Sequence, residues 1–250
     1  MGVTIGVTGA SGGLGASTLV ATLAMRAHAV LQSCRVRVGV DLDPRGGLET
    51  TMCLEHLGGM RWPDIEDAAW SPPVPAGPVR VASLPGADDV HVLSGAGTRP
   101  PEWRLVDDVL ETVGAAADVV VVDCGPRPPV HLLARVDLIV VLARTTARGA
   151  ADLAALLDSA PLGRTTPVLV TRAPGRDRHG AALGAELRLP FLAHLPDDSA
   201  VLRHEREGVP PGVLRCAVDT IADEVLAFAR PAPPPAVPRV VATGLGRARA

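Results

Sequence analysis

A glycine-rich segment between an apolar strand and a helix limits the fold of this chain more than any other feature. Residues 3–7, Val-Thr-Ile-Gly-Val, read as a buried strand. Gly9-Ala10-Ser11-Gly12-Gly13-Leu14-Gly15 then forms a turn, and from Ser17 the residues Leu19, Val20, Leu23 and Ala24 give one apolar helical face, ending before Ser33. Residues 35–40 form the next strand, closing on Asp41-Leu42-Asp43-Pro44, where the proline stops pairing. Strand, loop, helix and strand make a βαβ unit, and a glycine turn in that setting can wrap an anion with backbone N–H groups at the helix start. Ser17 stands where a hydroxyl could hold Mg²⁺. The bare pattern leaves a second reading open, a βα turn that needs tight geometry and nothing more.

The rest of the chain repeats this alternation. Val119-Val120-Val121-Val122-Asp123 is continuous rather than alternating, as expected of a parallel strand covered on both faces. Further strands are expected at residues 79–84, 90–93, 138–142 and 167–171, with an edge strand at 191–195. Helices are expected at 48–57, 62–70, 150–157, 181–187, 199–207 and 213–229. One more starts near Pro101, with Leu105, Val106, Val109, Leu110 and Val113 on its apolar face. Gly95-Ala96-Gly97 breaks the chain before it. The expected fold is therefore α/β, three-layered, with a mostly parallel sheet flanked by helices. The 250 residues divide into one domain at 1–230 and a flexible tail at 231–250, where Pro231, Pro233, Pro234, Pro235 and Pro238 precede Arg239, Arg247 and Arg249.

Composition removes several classes of function. The net charge is −3, and only five aromatic residues occur: Trp62, Trp70, Trp103, Phe191 and Phe228. Neither a nucleic-acid-binding polycation nor a base-stacking platform fits. The four cysteines lie 19, 71 and 92 residues apart, with no CxxC pair, against a metal cluster or disulfide scaffold. The seven histidines show no metal spacing. No base is tied to Ser11, Ser17 or Cys124, against nucleophilic hydrolase chemistry. No apolar run reaches the roughly 18 residues that span a bilayer, and the first residues, which enter an apolar strand with no basic region or cleavage site, are not expected to act as a signal peptide. A cytoplasmic location is expected, with any contact at the inner membrane face peripheral or through a partner. The chain also contains no lysine; all 24 basic residues are arginine.

Three motifs in order carry a family resemblance. Ser11-Gly12-Gly13-Leu14-Gly15-Ala16-Ser17-Thr18 resembles the deviant Walker A of the MinD/ParA family of P-loop ATPases. Val40-Asp41-Leu42-Asp43-Pro44 resembles its Asp-x-Asp-Pro strand end, and Val121-Val122-Asp123-Cys124-Gly125-Pro126 its Walker B segment. More narrowly, Gly15-Ala16-Ser17-Thr18, residues 41–48 and Gly59-Met60-Arg61-Trp62-Pro63-Asp64 are similar to actinobacterial CpaE-like, septum-site-determining proteins of the Tad/Flp pilus or secretion neighbourhood.

The resemblance covers residues 3–228 and implies a P-loop NTPase fold that takes ATP or ADP with Mg²⁺. It implies that Gly12, Gly13, Leu14, Gly15 and Ala16 line the phosphates, that Ser17 and Asp123 serve the metal, and that Thr18 lies beside the α-phosphate. Asp41 would orient a water, with Asp43 in the same segment; Thr171 and Arg172 would stand near the base. It further implies a homodimer and a pilus, secretion or cell-division partner. Two departures matter. Ser11 stands where the family has its signature lysine, and Ala16 where a P-loop has its ordinary lysine. Phosphoryl transfer needs cations at the phosphate oxygens, and losing one well-placed donor costs about 3 kcal/mol. Weak or absent hydrolysis is expected unless an arginine intervenes, with Arg45, Arg127, Arg144 and Arg148 as candidates. A pseudo-ATPase scaffold that binds a partner without nucleotide is the alternative.

Overall fold

The valine run lies at the heart of the sheet because its two faces are both covered. In the computed structural model, which describes residues 2–32, 34–43, 45–70, 79–95, 101–126, 128–159 and 165–230, β5 (Val119–Asp123) pairs in parallel with β1 (Val3–Gly9) on one side and β2 (Arg37–Asp41) on the other. Val119 and Val121 point into the core beneath α1 (Ala16–Leu31) and α9 (Ala217–Ala229), and Val120 and Val122 into the core beneath α4 (Trp103–Ala116). Successive residues of a strand face opposite ways, so a strand between two helical layers must be apolar throughout.

Eight strands form one sheet in the order β3-β4-β2-β5-β1-β6-β7-β8. The outer ones are β3 (Gly86–Ala87), β4 (Val90–Leu93), β6 (Leu138–Arg144), β7 (Thr166–Ala173) and β8 (Phe191–Pro196). Every adjacent pair is parallel except β3 with β4. The remaining helices are α2 (Leu48–Thr51), α3 (Trp62–Trp70), α5 (Val130–Leu133), α6 (Ala147–Ser159), α7 (Gly180–Leu187) and α8 (Ser199–Arg206). A third core joins Ile139, Val141 and Leu169 of the sheet to Leu153 and Leu156 of α6 and Leu183 of α7. The register sets Val7 beside Asp123 and Asp41 beside Asp123, so β1, β2 and β5 end at one edge. Open α/β sheets take ligands beyond that edge.

Local expectations fail in four places. Residues 79–84 are not a strand: Val81–Ser83 is a 3₁₀ turn, with the Ser83 and Leu84 N–H groups donating to Arg80 and Val81 carbonyls. The strand falls instead at Gly86–Ala87, after Pro85. The helix expected at 48–57 stops at Thr51, because Cys53 takes a left-handed φ of 56°. The last helix begins at Ala217 rather than 213, where the Cys216 N–H donates to Asp219 Oδ2. The short α5 was not anticipated. The tail at 231–250, Pro44, Ala96, Gly97 and Arg127 lie outside the described residues.

Candidate functional site

The glycine loop runs from the end of β1 into α1 at the sheet edge. Gly13 and Gly15 hold φ of 74° and 86°, a region that side-chain-bearing residues rarely occupy, and Gly15 caps α1. The loop borders a cavity of about 220 Å³ lined by Gly9, Ser11 to Thr18, Asp43, Arg45, Asp123, Gly125 and Pro126. Thus Gly12, Gly13, Leu14, Gly15, Ala16, Ser17 and Thr18 are brought together there with both expected loop acids, Asp43 and Asp123.

Ser17 Oγ donates to Asp123 Oδ2 at 2.6 Å, joining the start of α1 to the end of β5. Asp123 Oδ1 accepts from the Gly125 N–H at 3.1 Å, and Thr8 Oγ1 donates to the Gly125 carbonyl at 2.6 Å. Asp123 is 1% exposed, and burial raises its pKa against the opposing hydrogen bonds from Ser17 and Gly125. A hydroxyl beside a carboxylate at the glycine-loop cavity fits Mg²⁺, a hard cation that takes one or two protein oxygens and completes its shell with water and phosphate. Among the described residues no group of three His, Cys, Asp or Glu side chains could hold a metal ion.

Asp41 is used differently. Its Oδ1 accepts from the Asp43 N–H and its Oδ2 from the Leu48 N–H, both at 3.0 Å, while the Trp62 indole N–H donates to its carbonyl at 2.8 Å. Both carboxylate oxygens therefore clamp the 42–48 loop, and Asp41 is not among the residues that line the 220 Å³ cavity. Burial, first, and the nearby Asp123 charge push its pKa up to about 7, against those two N–H bonds. An acid protonated more readily in the folded state adds stability that is full below its unfolded pKa of about 4 and is lost as pH rises through the folded value. For Asp41 the loss is about 4 kcal/mol at most between pH 4 and 7. Asp123 acts in the same direction, and His131, whose pKa burial lowers, opposes it. The ligand-free thermal midpoint is expected to fall from pH 5 to pH 8; a midpoint rising over that interval would contradict the buried-acid account.

Arg45 is the basic side chain in the described lining of this cavity. It forms a fork on Asp43, with Nη2 to Oδ2 at 2.8 Å and Nε to Oδ1 at 3.1 Å, and Nη1 passes 3.7 Å from where a Cβ on Gly12 would stand. The pair holds the Asp43 pKa below the usual range. Arg148 instead pairs with Asp152 on α6.

A second cavity of about 630 Å³ adjoins the first through Gly15 and Thr18. Arg144, Arg172, Leu195 and residues 196–199 contribute to it. Arg172 donates to Asp197 Oδ1 at 3.0 Å and lies against Gly15. Thr171, expected beside it as a contact to the base, is wholly buried and its hydroxyl bonds His194 Nδ1 at 3.0 Å. Alternation along β7 brings Arg172 to the cavity and turns Thr171 away. The sequence reading also passed over Asp198, whose two oxygens accept from the Ala200 and Ala217 N–H groups and so cap α8 and α9 together. An acid two residues after a strand end and immediately before a helix was the available signal.

No family model and no curated protein matches the chain. Solved structures do. A ParA family ATPase from Chlorobium tepidum TLS aligns with a TM-score of 0.67 at 14% identity, over 90% of this chain and 97% of its own. The cell division ATPase MinD of Pyrococcus furiosus gives 0.66 at 18%, over 92% and 98%. The septum site-determining protein MinD from Pyrococcus horikoshii OT3, complexed with Mg-ADP, gives 0.65 at 16%, over 90% and 95%. No helix among the described residues is long and apolar enough to cross a membrane. The glycine loop, the Ser17–Asp123 contact and the strand order thus belong to a chain with the P-loop fold seen in the ParA and MinD ATPases.

Proposed function

We propose that this chain is a nucleotide-binding regulatory or positioning protein of the MinD/ParA kind, with degenerate hydrolytic chemistry. The Ser17–Asp123 contact at the mouth of the glycine loop carries the reading, because it joins two oxygen donors beside an anion cradle. The P. horikoshii relative's complex with Mg-ADP supports ATP or ADP with Mg²⁺ as the ligand. Backbone N–H groups of Gly12 to Ser17 bind the phosphates, Ser17 and Asp123 hold Mg²⁺, and Arg144 and Arg172 border the space for the rest of the nucleotide. Mg²⁺ supplies charge neutralisation at phosphate oxygens. Asp41 positions the loop that carries Asp43 and Arg45.

The single domain spans residues 1–230. The motifs at 15–18, 41–48 and 59–64 support a CpaE-like role in pilus or secretion assembly or in septum placement, through a homodimer and a protein partner. Titration calorimetry with ATP and ADP, with and without Mg²⁺, tests the core of the reading. Micromolar, Mg²⁺-dependent binding is the expected result. No binding at millimolar nucleotide overturns it and leaves a pseudo-ATPase scaffold.

Arg45 favours a second reading, slow hydrolysis with an arginine in place of the missing lysines. Its side chain is 68% exposed and anchored only two residues away on Asp43, so a rotation of that side chain brings the guanidinium over the glycine loop. A phosphate attracts it more strongly than one carboxylate when several oxygens share the charge. Arg45→Ala is expected to weaken ATP binding about tenfold, equivalent to about 1.4 kcal/mol, with a smaller effect on ADP. Arg45→Lys keeps part of the difference. Equal ATP affinity in wild type and Arg45→Ala rules out the arginine.

A further inference from the structure

Arg172 stands where the two cavities of the site meet. The 220 Å³ and 630 Å³ cavities share Gly15 and Thr18 in their walls. The Arg172 guanidinium rests on that shared wall, with Nη1 2.6 Å from where a Cβ on Gly15 would stand. Its Nε donates to Asp197 Oδ1 at 3.0 Å, and the two side chains are 26% and 47% exposed. Arg144, at the end of β6, is in register with Arg172 and borders the same larger cavity. Asp198 and Glu205 are the other acids of that wall. Asp198 is committed to the Ala200 and Ala217 N–H groups, and Asp197 is the acid that holds Arg172.

A nucleotide that fills both cavities puts its distal phosphates beside the glycine loop and its nucleoside in the larger space. The α-phosphate joins those parts, so it passes the Gly15–Thr18 wall on which Arg172 rests. We infer that Arg172 binds the α-phosphate, and that Asp197 holds the guanidinium ready and competes with the nucleotide for it. This rests on the nucleotide reading above and names a cation for a site without lysine. The family resemblance alone set Arg172 near the base; its seat against Gly15 brings the charge to the glycine loop instead. The energetics favour the exchange. An ion pair this exposed is weak, because water screens it. A phosphate presents several oxygens to the guanidinium fork, and charge-assisted bonds of that kind are among the strong ones. The neighbouring Arg144 charge also repels Arg172 until an anion comes between them. Arg172 thus acts on the group that ATP, ADP and AMP share, whereas Arg45, on the smaller cavity, acts on the distal phosphates.

Titration calorimetry on the full-length protein, with Mg²⁺ and ATP, ADP or AMP, tests this. Arg172→Ala is expected to weaken all three by a common factor of roughly ten. Arg172→Lys keeps the charge and should retain part of the affinity, whereas Arg172→Gln keeps a planar group without charge and should match Arg172→Ala. Asp197→Asn removes the competitor and is expected to tighten ADP binding about threefold, with no effect once Arg172 is alanine. Both side chains are partly exposed, so neither change puts the fold at risk. Three results overturn the inference and leave the nucleotide reading intact. One is wild-type affinity in Arg172→Ala. Another is an Arg172→Gln variant that binds as well as wild type, which would make Arg172 a base-stacking group. The third is an Asp197→Asn variant with unchanged affinity. No binding at millimolar nucleotide by either the wild type or Asp197→Asn overturns both readings.

Discussion

Gly15→Val abolishes Mg²⁺-dependent nucleotide binding, weakening it at least about a hundredfold, or roughly 3 kcal/mol. Two effects act together. Gly15 sits at a φ of 86°, where an L-residue costs about 1–2 kcal/mol and a β-branched one more. The chain can relieve that strain only by rotating the peptide, which turns the N–H groups at the start of α1 out of the cradle. In addition, a Cβ at Gly15 would stand 2.6 Å from Arg172 Nη1, forcing that side chain back across the second cavity. Arg172 is a flexible side chain held to Asp197 and can move, so the steric part is the smaller one. Calorimetry on the variant, with circular dichroism showing an intact fold, measures the effect. Wild-type affinity in a folded Gly15→Val protein would remove the glycine loop from the binding site.

The legibility of the fold varied with the range of the interactions that decide each segment. Residues 3–31 were readable because periodicity and glycine are local signals, and β1, the turn and α1 fall within two residues of the expected bounds. The Trp62–Trp70 helix was equally plain. The 81–83 segment was not, since its alternating apolar residues suit a strand until Met60 claims the Ser83 carbonyl and Val92 the Pro85 carbonyl. At the site, the motif resemblance grouped Ser17, Asp123 and Asp43, and all three line one cavity. It gave no sign that Asp41 would hold two backbone donors, two and seven residues further on, nor that Thr171 would turn inward to His194. Those outcomes depend on which neighbour a loop packs against. The same holds for residues 59–64, singled out as a motif, whose task is visible only in three dimensions.

That task makes Trp62→Ala the most destabilising of the single changes considered, at about 3–5 kcal/mol. Trp62 is 3% exposed, belongs to the core beneath α4 and rests against Gly95. Its indole N–H holds the Asp41 carbonyl at 2.8 Å, on the residue whose carboxylate clamps the 42–48 loop. Arg61 reinforces the same region, pairing with the Glu49 carboxylate and donating to the Leu57 and Gly59 carbonyls, while Ser94 Oγ donates to Glu49 Oε2. Truncation at Trp62 therefore opens a cavity and releases the loop at once. The thermal midpoint should drop by about 10 °C, at 2–4 °C per kcal/mol for a chain of this size. Trp62→Phe separates the two contributions, because it keeps most of the volume and loses the hydrogen bond, for about 1–2 kcal/mol. Urea unfolding of all three proteins should therefore rank them wild type, Phe, Ala. If Phe matches Ala, the indole hydrogen bond dominates; if Phe matches wild type, the brace is packing alone and the Asp41 carbonyl finds another donor. In the first case, Trp62→Phe should also weaken nucleotide binding, since the loop bearing Asp43 and Arg45 would no longer be held at the cavity.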